Sequence, residues 1–247
     1  MRGFSQYRKK LWFLVAVCVL AASAAAISAQ QSDSVRIQVE LVRHGGNERG
    51  TVQHTDASNV AVWLIPLDFA PPSRPAQPAP RLVQKNKAFT PHVLVVQQGA
   101  SVEFPNEDPF FHNVFSLFAG KRFDLGLYES GSSRAVRFDR PGASFLFCNI
   151  HPEMTAVVVV VPTPYYGTSD SAGRVNIPGV PDGRYQLEVW HERSSPDELK
   201  NLARVVTISS ATRSLGPIRV SDSGTLTLTH KNKYGQDYTP ALANTAY

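Results

Sequence analysis

Polar and apolar positions alternate with a period of two over much of the chain beyond residue 30, and almost nowhere with the period of a helix. Val35 to Leu41 places an apolar residue at every second position, which predicts a half-buried strand. The stretch from His44 to Asn59 is glycine-rich and polar and reads as loop. Val60 to Ile65 is apolar throughout and predicts a strand covered on both faces. Ala70 to Pro80 is dense in proline, so it reads as an extended crossing rather than a packed element. A second block follows, with strands expected at Leu82–Gln84, Val93–Val96, Ser101–Phe104, Arg134–Phe138 and Ser144–Phe147. Phe110 to Ser116 enters another strand after a polar loop, and Ala156 to Val161 is a continuous apolar run. A third block has strands at Arg174–Ile177, Tyr185–Trp190, Val205–Ile208 and Ile218–Val220, with one or two helical turns between Ser195 and Ala203. Thr225–Thr229 is strand-like, and the polar residues after it are expected to be loosely held. Short strands at this spacing predict an all-β chain built of sandwiches or barrels.

The first 29 residues differ from all of this. Arg2, Arg8, Lys9 and Lys10 precede an apolar stretch from Leu11 to about Leu20, and a stretch rich in Ala and Ser runs to Ala29. That order is the pattern of a secretory signal peptide, with cleavage expected after Ala29 and a periplasmic or secreted product. An uncleaved anchor is the rival reading, since Leu11 to Ile27 gives 17 residues, a marginal length for a span. A lipoprotein fits less well, because Val17 before Cys18 is bulky. After cleavage no membrane span is expected. The leader holds four basic residues and no acidic one, so its removal takes the formal charge from +5 to +1. The excess positive charge belongs to the leader, and no nucleic-acid partner is expected.

Removal of the leader also changes the sulfur chemistry. The chain has two Cys and two Met, and Cys18 and Met1 are lost with the leader. The remaining pair falls in one heptapeptide, Cys148-Asn149-Ile150-His151-Pro152-Glu153-Met154. A thiolate, a thioether and an imidazole in one loop suit copper better than any hard cation. Taken singly, a lone Cys or Met is usually core filler. An exported protein with one free thiol nevertheless needs a reason for keeping it, and metal ligation supplies one. A second imidazole must come from elsewhere, and His112, 36 residues upstream at a loop–strand junction, is the candidate.

These residues resemble the plastocyanin and amicyanin branch of the cupredoxins. Asn106 with Phe111-His112-Asn113-Val114 resembles the first-histidine segment, and Cys148-x2-His151-Pro152-x-Met154 has the amicyanin ligand spacing. Phe89-Thr90-Pro91 and Gly99-x-Ser101-Val102-Glu103-Phe104 look like the second and third strands of that fold. The block as a whole is most similar to plastocyanin-like proteins labelled methylamine-utilisation proteins. The resemblance covers residues 81–161 and implies a cupredoxin Greek-key β-sandwich with one type 1 (blue) copper ion. It implies Cys148 as thiolate, His112 and His151 as imidazole ligands and Met154 as the weak axial ligand. Asn113 would hydrogen-bond across the two ligand loops. Phe110, Phe111, Ile150 and Pro152 would form a docking patch for redox protein partners, with ordinary core as the competing reading for the phenylalanines. Glu153 next to Met154 departs from the pattern, and its carboxylate is an alternative to the thioether. Phe123 to Tyr128 has no counterpart in plastocyanin to which a role is assigned.

The blocks on either side are similar to carboxypeptidase-regulatory-like sandwiches, through Tyr166, Gly173-Arg174-Val175-x-Ile177 and Val180-Pro181-x-Gly183-x-Tyr185-x-Leu187-x-Val189. The expected organisation is a signal peptide (1–29), a second, smaller β-sandwich split between 30–69 and 162–222, a copper domain at 81–161 inserted into it, and a tail at 223–247. The alternative is that the N-terminal strands belong to the copper sandwich. The functional expectation is an electron carrier, not an enzyme, passing single electrons between partners. The competing reading is a copper-handling or surface-recognition module without redox turnover. His44 and His54 are expected to be solvated and His92 structural, while His191 and His230 are weaker candidates for a second metal. Cys148 and His151 as a hydrolytic pair lack an orienting third residue. A c-type haem would need two cysteines.

Overall fold

The computed structural model describes residues 33–44, 51–53, 56–72, 78–117, 120–223 and 231–237. The leader lies outside them, as do His54, Thr225–Thr229 and His230. Among the described residues, the chain is all-β apart from one short helix. Its strands are β1 (Val35–His44), β2 (Thr51–Gln53), β3 (Ala61–Pro66), β4 (Val83–Lys85), β5 (Ala88–Thr90), β6 (Val93–Gln97), β7 (Ser101–Pro105), β8 (His112–Ser116) and β9 (Phe123–Tyr128). They continue with β10 (Ser133–Arg137), β11 (Gly142–Phe147), β12 (Thr155–Val161), β13 (Tyr166–Thr168), β14 (Arg174–Ile177), β15 (Gly183–Trp190), β16 (Arg204–Ile208) and β17 (Ser214–Asp222). Helix α1 (Pro196–Leu202) is closed by a capping box in which Ser195 and Glu198 each bond the other's backbone N–H.

One sandwich combines strands from residues 35–66 and 166–222. Its first sheet runs β14-β1-β17 with β2 on β1, and its second runs β13-β3-β15-β16. Val35, Ile37, Val39 and Leu41 point inward from β1, where they meet Val62 and Leu64 of β3 and Tyr185, Leu187 and Val189 of β15. The period of two in each strand is therefore the period of one buried face. β1 and β17 are parallel, and this pairing carries β17 well beyond the expected Ile218–Val220. The loop expected at 44–59 contains β2, which pairs back onto the end of β1. Gly173 turns the chain between β13 and β14 at φ +77°, and any Cβ there would collide with the Val39 carbonyl.

The second sandwich takes its strands from residues 83–161. A five-stranded sheet, β6-β12-β11-β8-β9, faces the pair β10-β7 across a core of Val102, Phe104, Val114, Phe138, Leu146 and Val158. β12 lies between parallel β6 and antiparallel β11. Its run of valines is explained by its two faces. Ala156, Val158 and Val160 enter this core, while Val157, Val159 and Val161 point the other way. That outer face packs with Val93 and Val95 against Ala61, Trp63, Tyr166 and Trp190 of the first sandwich. Each buried valine contributes about 1.5–3 kcal/mol, so this layer is a substantial adhesive between the two bodies. Among the described residues, β1 and β3 pair only with strands of the first sandwich.

Candidate metal centre

Two loops meet at one end of the second sandwich. The first is Asn106 to Phe111, which leads into β8. Asn106 is buried and organises it, donating to the carbonyls of Phe110 (2.8 Å) and Tyr128 (3.2 Å) and accepting from the Asp108 N–H (3.0 Å). His112 then opens a strand in which every residue is buried. The second loop begins where β11 ends at Phe147. The Cys148 N–H donates to the Met154 carbonyl (3.2 Å) and the Met154 N–H to the His151 carbonyl (3.0 Å), which closes the heptapeptide into a tight turn before β12.

The loops bring His112, Cys148 and His151 together, with ligand atoms all within 4.8 Å of one another. Cys148 Sγ lies 3.8 Å from His112 Nδ1 and 3.8 Å from His151 Nδ1, and the two nitrogens are 3.2 Å apart. A triangle with those sides has a point about 2.1 Å from all three atoms. Bonds from a first-row ion to imidazole nitrogen and thiolate run about 2.0–2.3 Å. The donor triangle therefore fits one such ion, and no other His, Cys or carboxylate group of this kind occurs among the described residues.

Charge and burial suit the same use. His112 and Cys148 are fully buried, and His151 is half-buried and supplies the outward edge. Burial pushes the Cys148 thiol up, against backbone hydrogen bonds from Asn113, Ile150 and His151 that favour the thiolate. Burial, with repulsion from His112 and Lys87, holds His151 below the usual histidine range, which favours the neutral imidazole whose lone pair a metal needs. The Phe110 ring lies against both imidazoles, 5.2 Å from His112 and 5.6 Å from His151. Lys87 Nζ sits 5.5 Å over the same ring.

Met154 is fully buried in the same apolar cluster as Cys148, whereas Glu153 is exposed. Phe111 and Ile150 are exposed at 54% and 44%, Pro152 is exposed and Phe110 half-buried, so the two ligand loops present apolar side chains to solvent. Asn113 differs from expectation. Its side-chain amide donates to Asp124 Oδ1 of β9 at 2.7 Å, and its Oδ1 has no hydrogen-bond partner. The link to the Cys148 loop is made by its backbone instead. β9, the segment with no assigned role, thus braces the residue beside His112.

Three contributors went unread in the sequence. Asp108 Oδ2 is 2.7 Å from His112 Nε2, buried at the back of the ring. Asp124 holds Asn113 and also accepts from the Gly126 N–H (2.8 Å) and Lys233 Nζ (2.9 Å). Lys233 in the tail donates its backbone N–H to Asn149 Oδ1 (3.0 Å), so this part of the tail is tied to the ligand loop rather than loosely held. The one available signal was Asp108 itself, an acidic residue four positions before His112 in a loop whose Asn106 starts an Asx turn. His92 pairs with Glu192 at 2.9 Å, and buried His191 lies 3.2 Å from Ser194 Oγ.

No protein-family model matches the chain, and no curated protein does. Solved structures similar to part of it include a Cu-containing nitrite reductase from Thermus scotoductus, 25% identical with a TM-score of 0.33, over 39% of this chain. A purple cupredoxin from Nitrosopumilus maritimus is 21% identical with a TM-score of 0.31, covering 33% of this chain and 99% of its own. An amicyanin variant in its reduced Cu(I) form is 21% identical with a TM-score of 0.33, covering 35% of this chain and 85% of its own. The match spans only a quarter of the nitrite reductase chain, 25%.

Proposed function

We propose that the chain is an exported blue copper protein that passes single electrons between redox partners. His112, Cys148 and His151 hold the ion in this reading, and Met154 is its weak axial ligand. The observation that carries it is the triangle of two imidazole nitrogens and one thiol sulfur, all within 4.8 Å and mostly shielded from water. Copper, when bound, supplies a one-electron couple between Cu(II) and Cu(I). Two nitrogens, one soft sulfur and a distant thioether form a compromise between the geometries the two states prefer. The chain makes and breaks no bonds on this reading. Its residues keep donor atoms in place so that little moves when the charge changes.

Each part has its support. The five buried residues of β8 and the hydrogen-bonded turn at 148–154 fix the donors from both sides. The half-buried edge of His151, between the exposed Ile150 and Pro152 of its own loop, is the way out for an electron in this reading, and with exposed Phe111 it forms the surface on which a partner docks. The split sandwich (30–69 with 162–222) is a separate unit in this reading, because its core draws on those two segments. The copper domain (81–161) is inserted into it. Export rests on the leader pattern of residues 1–29. Among the described residues, no helix is long and apolar enough to cross a membrane.

The test is an absorption spectrum. Cu(II) added to the purified chain should produce an intense visible band from thiolate-to-copper charge transfer, and Cys148→Ser should abolish it. A protein that stays colourless with Cu(II) overturns the reading. A copper-handling module would instead surrender the ion readily to competing chelators and would not cycle reversibly. Full burial of two of the three donors favours retention over release.

A further inference from the structure

We propose that Asp108 is the positioning residue of the centre: its buried carboxylate holds His112 by Nε2, directs Nδ1 at the ion and lowers the reduction potential. This rests on the copper reading above. His112 is fully buried, with Nδ1 in the donor triangle and Nε2 2.7 Å from Asp108 Oδ2. An ionised carboxylate accepts hydrogen bonds only, so Nε2 carries the proton and Nδ1 presents its lone pair. Without that partner a neutral imidazole is free to place its proton on the nitrogen the ion needs.

The carboxylate is itself fixed. Asp108 is buried, and it receives the N–H groups of Asn86 (2.6 Å, to Oδ1) and Lys87 (2.9 Å, to Oδ2). Both donors sit at φ +55° in the turn between β4 and β5, a backbone region that non-glycine residues seldom adopt. The turn thus aims two consecutive N–H groups at one carboxylate. These two N–H groups and His112 Nε2 surround the carboxylate, an arrangement of donors that favours its ionised form.

A fixed negative charge behind a ligand has a definite effect on the redox balance. Cu(II) with one thiolate carries a net +1, and the carboxylate brings the centre to zero. Cu(I) leaves the same centre at −1 in a buried site. The oxidised state is therefore favoured, and hydrogen bonding to the carboxylate makes His112 a stronger donor.

The experiment compares reduction potentials of copper-loaded wild type, Asp108→Asn and Glu107→Gln. Asp108→Asn keeps the shape and removes the charge, so the reduced-to-oxidised ratio at a fixed potential should rise tenfold or more, about 59 mV upward. Glu107→Gln removes an equal charge one residue away at an exposed position and should leave the potential in place. An Asp108→Asn potential equal to wild type overturns the proposal, because a residue that merely supports the turn changes stability without moving the couple. A second readout needs no copper and no variant. Nitrogen-15 NMR of the metal-free wild type should find the single proton of the neutral His112 ring on Nε2, and a neutral ring that carries it on Nδ1 instead overturns the proposal. Wild type without a visible band would defeat the copper reading, while this tautomer would still decide the role of Asp108.

Discussion

His92 and Glu192 face each other across the joint between the two sandwiches, with Nε2 and Oε2 2.9 Å apart. The other ring nitrogen of His92 is 3.2 Å from the carbonyl of Thr155, the first residue after the ligand loop. Both ring nitrogens meet acceptors, so the charged imidazolium is the form that satisfies them both. The hydrogen bond to Glu192 raises the His92 pKa against burial and the nearby Arg193. Burial opposes the ionisation of Glu192, but His92, His191 and Arg193 together keep its carboxyl below the ordinary range.

The sign of the pH dependence follows. A raised histidine pKa contributes stability below the ordinary value of about 6.5, which is lost as pH rises through the folded value. A lowered carboxyl contributes stability above about 4.3, lost as pH falls through its folded value. The joint should therefore be tightest between about pH 4.3 and 6.5 and loosen toward alkaline pH. Amide hydrogen exchange at Thr155 and Val157, corrected for intrinsic rates, should show protection falling above neutrality. His92→Gln should remove that dependence.

Met154 combines a packing role with its proposed ligand role, and two substitutions separate them. Met154→Ala leaves a hole in a fully buried site and should cost about 2–5 kcal/mol. Met154→Leu conserves volume and should cost less than about 1.5 kcal/mol. With copper bound, Met154→Leu should keep the visible band and raise the reduction potential, because an axial donor is lost. A potential that stays put would remove Met154 from the ligand set.

The exposed apolar residues of the ligand loops can be altered without touching the cores. Phe111→Ser and Ile150→Ser each remove an apolar side chain from the surface and should change stability by no more than about 0.5 kcal/mol. Electron exchange with a partner protein should slow in both variants while the absorption spectrum remains that of wild type. Unchanged exchange rates would place the docking surface elsewhere.

Lys233 ties the tail to Asn149 and Asp124, on either side of the centre. Truncation after Ser223 should leave both cores folded, with a single thermal transition close to that of the full chain. Exchange at Ile150 and His151 should quicken, because the Asn149 side chain loses its tether. An unchanged exchange pattern would show that the turn at 148–154 holds itself.

Much of this architecture was legible because one face of a strand leaves a period-two trace, as in Val35 to Leu41 and Tyr185 to Trp190. Val60 to Ile65 was legible as a doubly covered strand and Ala156 to Val161 as an apolar run, although not what covered them. The joint that explains both runs depends on Trp63, Tyr166 and Trp190, which pair with distant valines through tertiary contact alone. At the centre, Cys148 and His151 share a tight loop, and local spacing betrays them. Asp108 is different: its meaning depends on a turn at Asn86-Lys87 that approaches from another hairpin. The side chain of Asn113 was expected to look toward the Cys148 loop, but Asp124 on the adjacent strand is nearer.

Complete burial of Cys148 bears on the life of the chain before any metal reaches it. A thiol whose ionisation is opposed by burial and which is out of contact with solvent is a poor nucleophile and a poor target for oxidants. Loss of the metal-free protein to oxidation is then governed by how often the turn at 148–154 opens, rather than by the reactivity of sulfur. Stiffening that turn should lengthen its survival in air, while slowing the entry of the ion by the same route.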